Sequence, residues 1–142
     1  MKPIKLLGLF FILGLVSFTN CESVDEAQKT ADDFYRAFNN QDEKTMDNIL
    51  DQESVIDAGI KEDFYDVFNQ HVSAFGNITD YERYAFATDT KNGLTTVTLK
   101  FKCNTEKGQI VYEKLKFVKR GDDYKVYEFV LNMDKSVIDK EE

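Results

Sequence analysis

Near Gly76 the hydrophobic rhythm of this chain changes from the helical repeat to a repeat of two, and that switch restricts the fold more than any other feature. Upstream, Val24, Ala27, Ala31, Phe34, Tyr35 and Phe38 share one helical face, while Asp25, Lys29, Asp32, Asp33 and Arg36 fall mostly on the other. Ser23-Val24-Asp25-Glu26 has the form of a capping box and predicts the helix start, and Asn39-Asn40 predicts its end. Asp42 suits the cap of a short second helix presenting Met46, Ile49 and Leu50. Ile60, Phe64, Val67, Phe68, Val72 and Phe75 mark a third, with Gly76 as its left-handed stop.

Downstream, Val97, Leu99, Phe101 and Cys103 alternate with Thr96, Thr98, Lys100 and Lys102, which gives a strand with one buried and one wet face. Asn92-Gly93, Asn104 to Gly108 and Gly121-Asp122 are turn signals between it and the stretches Tyr81–Thr88, Gln109–Lys119 and Tyr124–Leu131. The expected architecture is α+β, with three N-terminal helices packed on one face of a curved four-stranded antiparallel meander over residues 24–132. Residues 133–142 are charged and predict a frayed tail.

The first 20 residues read as a leader: Lys2 and Lys5, an apolar run from Leu6 to Phe18, then Thr19 and Asn20 before Cys21. The run is shorter than the ~20 apolar residues a spanning helix needs. Phe18-Thr19-Asn20-Cys21 resembles the lipobox of bacterial lipoproteins. That resemblance implies cleavage before Cys21, a diacylglyceryl group on its sulfur, residues 21–23 as lipidated terminus and short tether, and a location in the cell envelope with the membrane as a partner. Ordinary secretion with a free Cys21 is the alternative.

The formal charge is −8, and since Lys2 and Lys5 lie in the leader the remainder is more acidic still. A net negative field repels polyanions, so nucleic acid is not an expected partner. Cys21 and Cys103 are the two cysteines, and lipid on the first leaves no internal disulfide. Stability must come from packing, for which 12 Phe and 7 Tyr supply the apolar area without any Trp.

Helices followed by a curled sheet, together with Ala31-Asp32-Asp33-Phe34-Tyr35, Phe75-Gly76-Asn77-Ile78, Glu113-Lys114-Leu115-Lys116-Phe117 and Gly121-Asp122-Asp123-Tyr124-Lys125-Val126, resemble small bacterial lipoproteins with a nuclear transport factor 2-like or SnoaL-like domain. The resemblance implies a cone-shaped, cystatin-like fold, here reduced because the short Gln52–Ala58 region leaves no room for its early hairpin. Such cones host isomerases, dehydratases and hydrolases as well as proteins with no chemistry, so function rests on the site.

Two residues stand out as site candidates. His71, the one histidine, falls among Val67, Phe68 and Phe75, where a titratable ring is either partly desolvated for use or a boundary residue that packs. Glu113 shares a strand face with Val111, Leu115 and Phe117, and a buried carboxylate needs a partner. Arg83 is a candidate counter-charge and Tyr84 a candidate donor; alternatively a bulge or the cone rim leaves Glu113 wet. Glu113, Tyr84 and Tyr35 are the raw materials for ketosteroid-isomerase-like chemistry in the cone.

No metal-ligand spacing, phosphate loop, nucleophile triad or cofactor motif is present in the sequence, and Cys103 reads as a small core residue. Thr96, Thr98, Lys100, Lys102, Lys114 and Lys116 are expected on the exposed sheet face, where they suit an acidic partner or limit edge aggregation. The expected function is a non-enzymatic envelope lipoprotein that holds an apolar ligand or a protein partner. A SnoaL-like enzyme and an accessory or immunity-like partner protein are the alternatives.

Overall fold

The computed structural model describes residues 22–140. The leader and Cys21 lie outside the described residues, and the expectations made for them lie there too. Helix α1 covers residues 22–40. It is followed by α2 (Glu43–Ile49), a single π turn (Gln52–Ile56), α3 (Lys61–Phe75), β1 (Ile78–Lys91), β2 (Leu94–Thr105), β3 (Ile110–Arg120), β4 (Asp123–Asn132) and α4 (Lys135–Lys140). The sheet is an antiparallel meander of order β1-β2-β3-β4. The architecture is therefore α+β, with helices packed against a four-stranded open sheet.

The local reasons are visible at the element ends. Asp42 caps α2, its Oδ1 accepting the Thr45 amide at 3.1 Å. Gly76 ends α3 at φ 75°, ψ −161°, a region closed to side chains, and a Cβ there would lie 2.7 Å from Oε2 of Glu106. That oxygen accepts the Asn77 amide at 2.9 Å, which ties the end of α3 to the β2–β3 turn. Ladder register slips by one residue near Thr79, Tyr84 and Tyr127, and such bulges bend the strands they interrupt.

The core lies between the sheet and α1–α3. Phe34 and Tyr35 of α1 bring their rings to 5.4 Å from Phe129 and Phe101, and Phe68 of α3 reaches Phe129 at 5.6 Å. A two-stranded ribbon would be marginal alone; the helical layer gives the apolar face of the meander something to bury against.

The structure departs from the pattern-based expectations in three places. Glu22 and Ser23 are already helical, so Ser23 sits inside α1 rather than capping it. Of the expected tail 133–142, residues 133–140 are described and do not simply fray: Asp134 accepts the Ser136 amide at 2.9 Å, α4 follows, and Ile138 is fully buried. Helix α4 packs on β3 and β4 and pairs Asp139 with the Tyr84 hydroxyl, so it covers the sheet face opposite α1–α3. That accounts for the third departure. Lys114, expected on an exposed face, is 2% exposed and ion-paired with Glu128 at 3.1 Å. Among the described residues no helix is long and apolar enough to cross a membrane.

Candidate functional site

Three elements bring polar side chains to one point inside the core. On α3, Phe64, Phe68, His71 and Phe75 recur at helical spacing and turn inward. On β3 the alternation of Val111, Glu113, Leu115 and Phe117 puts Glu113 on the helix-facing side, opposite Phe101 of β2 and Leu131 of β4. On α1, Tyr35 follows Ala31 by one turn and reaches the same place.

His71 Nε2 lies 2.9 Å from Oε1 of Glu113, and the Tyr35 hydroxyl donates to Oε2 at 2.8 Å. The Cys103 thiol donates in turn to the Tyr35 oxygen at 3.8 Å. Glu113 and His71 have 0% exposed side chains. The donor and acceptor roles across that contact follow the tautomer of the imidazole, and His71 Nδ1 is buried without a hydrogen-bond partner among the described residues. Phe38 and Phe75 close around the imidazole, with ring centroids at 4.9 and 5.3 Å. Burial, reinforced by the Glu113 charge, pushes the Tyr35 hydroxyl well above its ordinary value, and the same causes push the Cys103 thiol up. Both remain protonated donors, and Cys103 is a buried structural group, not a nucleophile.

Of the five sequence candidates, the structure unites His71, Glu113 and Tyr35 and places the other two elsewhere. Arg83 is no counter-charge to Glu113: its Nη1 donates to Oε1 of Gln28 at 3.0 Å and its guanidinium lies over the Phe86 ring at 5.8 Å. Tyr84 is no donor to Glu113 either. It sits at the β1 register slip, on the opposite sheet face, with its hydroxyl donating to Asp139 and Lys135 over its ring at 4.5 Å. Nor is Glu113 wet at a rim, since the sheet and helices enclose it completely.

Sequence reasoning passed over a second polar pair. Asp51, 1% exposed, accepts from Nε and Nη2 of Arg120 at 2.9 Å each and from the Ser54 amide at 3.0 Å. The fork of two guanidinium bonds leads the causes that hold its carboxyl down at about 2. Asp51-Gln-Glu-Ser54 carried the signal for the cap but none for a partner 69 residues away.

Among the described residues two concavities concern the site. One, about 100 Å³, lies between α1, α2 and α3 over Phe38, Met46, Phe68 and Val72, with Asp42 and Glu43 on its rim. The other, about 340 Å³, is a polar depression beside Asp51, where Arg120 is engaged by carboxylates and Lys125 donates to the Asn48 carbonyl. Glu113, His71 and Tyr35 line neither. Among the described residues no group of three or more His, Cys, Asp and Glu is placed to hold a metal ion. Compared with known proteins, the chain matches no family model and no curated sequence.

Proposed function

We propose that this chain is a lipid-anchored, non-enzymatic protein of the cell envelope that engages a protein partner through the cleft between α1, α2 and α3. The order of helices and then a bent meander supports its reading as a reduced SnoaL-like domain, and the leader pattern supports the anchor at Cys21.

One observation carries the choice: the Glu113 and His71 side chains have no exposed surface, and the apolar cleft measures about 100 Å³. Small-ligand pockets run to roughly 300–1,000 Å³, so this one suits a single apolar side chain of a partner rather than a whole ligand. Its acidic rim of Asp42 and Glu43 favours basic residues flanking that side chain. The enzyme alternative requires a substrate to reach a carboxylate base, and Glu113 offers no accessible surface.

A photo-crosslinking side chain at exposed Asn69, on the cleft wall, tests this in envelopes of producing cells. The expected result is one protein adduct that disappears when Val72→Trp fills the cleft. A fatty acid or steroid that binds the purified domain stoichiometrically in native mass spectrometry and raises its Tm overturns the protein-partner reading.

A further inference from the structure

The lysines on the outer face of the sheet form one patch. Opposite α1–α3, that face carries Lys100 and Lys102 from β2, Lys114 and Lys116 from β3, Glu82 from β1 and Glu128 from β4. Lys100 pairs directly with Lys114 in the β2–β3 ladder, and Lys102 and Lys116 are their diagonal neighbours. Like charges set opposite one another weaken a ladder, so the quartet works against the stability of the sheet that bears it.

Edge protection does not account for it. Charged side chains guard the margins of a sheet, where unpaired backbone groups invite another strand, but in the order β1-β2-β3-β4 both lysine-bearing strands are interior. Internal ion pairing accounts for half of it. Glu128 takes Lys114 at 3.1 Å and Lys116 at 3.3 Å, whereas no carboxylate of the described residues lies in ion-pair range of Lys100 or Lys102. Asp139 is committed to Lys135 and to the Tyr84 hydroxyl. Helix α4 packs on β3 and β4, so the β2 row stays open: Lys102 is exposed, Thr96, Thr98 and Lys100 are partly exposed, and the small Ala85 and Ala87 flank them on β1.

We propose that this row is a docking surface for an extended acidic polypeptide segment, whose carboxylates meet Lys100 and Lys102 and whose polar groups reach Thr96 and Thr98. Residues two apart on a strand lie ~6.6 Å apart on one face, which is also the repeat of carboxylates on alternate residues of an extended peptide. On a chain of formal charge −8, a local excess of lysine attracts such a segment to one face while the remaining surface repels it, so charge fixes where it lands. Nucleic acid fits less well. Two-pronged phosphate recognition belongs to Arg, which the row lacks, and stacking bases need free aromatic faces, whereas Lys135 lies over the Tyr84 ring at 4.5 Å. The surface lies across the sheet from the cleft near Phe38, and its assignment stands apart from that of the cleft and of the anchor.

Fluorescence anisotropy of a labelled decapeptide of alternating Glu and Ser, titrated with the full chain in detergent micelles, tests the assignment. The expected result is salt-sensitive binding that weakens about tenfold in Lys100→Gln/Lys102→Gln and persists in Lys100→Arg/Lys102→Arg. Lys102→Gln alone, at an exposed position away from the core, should lose part of it. Lys29→Gln/Lys44→Gln removes the same charge from exposed sites on α1 and α2 and should bind as the parent does. The proposal is overturned by a parent chain that does not bind the peptide, by an equal loss in the Lys29 and Lys44 variant, or by tighter binding of a labelled decathymidylate than of the peptide.

Discussion

Nε2 of His71 lies 2.9 Å from Oε1 of Glu113, and neither side chain has any exposed surface. A carboxylate taken out of water costs several kcal/mol unless its lone pairs are occupied, and here the imidazole and the Tyr35 hydroxyl occupy them from two different helices. The network joins α1, α3 and β3 at one point. A register pin for docking the helical layer on the sheet is the role that variants at Glu113 test.

Removing the centre of that network should be severe. Glu113→Ala leaves a buried imidazole and hydroxyl unpartnered and is expected to cost about 3–5 kcal/mol. Glu113→Gln keeps an acceptor for Tyr35 and a donor for an unprotonated Nε2, and should cost about 1 kcal/mol. Urea denaturation of both variants checks this, and equal losses would remove the pin from the account.

Asp51 makes stability depend on acid. Its carboxyl is lowered from 3.8 to about 2 in the folded state, chiefly by Arg120. A depressed carboxylate contributes stability that is complete above its unfolded value and fades as pH falls from about 4 through 2. The linked contribution at neutral pH is about 2 kcal/mol. Denaturation midpoints at pH 5, 4, 3 and 2 should fall more steeply for the parent chain than for Asp51→Asn. Parallel slopes would show that Asp51 does not carry the effect.

Gly76→Ala asks a β-carbon to sit where Oε2 of Glu106 lies 2.7 Å away, at φ 75°. A loss of about 1–3 kcal/mol is expected. Adding Glu106→Ala should return only part of it, because the backbone strain remains; full recovery would assign the whole cost to the clash.

Helix α4 is short, yet Ile138 is fully buried over the sheet. Ile138→Ala should cost about 2–4 kcal/mol. Hydrogen exchange on β3 and β4 is the local readout, and protection unchanged there would mean that α4 covers nothing of consequence.

The Cys103 thiol is both buried and pushed up in pKa, so in a Cys21→Ser background it should resist a thiol reagent until the chain unfolds. Rapid labelling of the native protein would contradict its burial.

How much was legible follows the strength of the local signal. The alternation through Thr96–Cys103 and the even spacing of Val111, Glu113, Leu115 and Phe117 identify strands and put Glu113 on the inner face, as found. Its partner is neither Arg83 nor Tyr84 for plain reasons: Tyr84 alternates to the outer face after inward-facing Arg83, and Arg83 itself donates to Gln28, a contact that depends on how α1 docks. Tyr35 was visible as a core residue of α1, but which strand residue it would meet depends on the docking of the helix. Lys114 fell on the correct face, and its burial could not be read because α4 presents a single isoleucine among Lys135, Ser136, Asp139 and Lys140. The Asp51–Arg120 pair links residues far apart in the chain, where a pattern of spacing carries no information.

Leu50 bridges Val126 on the far side of β4, and the Asp51 amide donates to the Val126 carbonyl at 2.8 Å. A foreign strand seeking to extend the sheet therefore finds that flank contested at Val126. On β1 it meets a bulged backbone studded with Asp80, Glu82, Arg83, Asp89 and Lys91. Both margins of the meander thus lack the long, regular, uncharged run of free backbone groups that edge-to-edge pairing between copies requires.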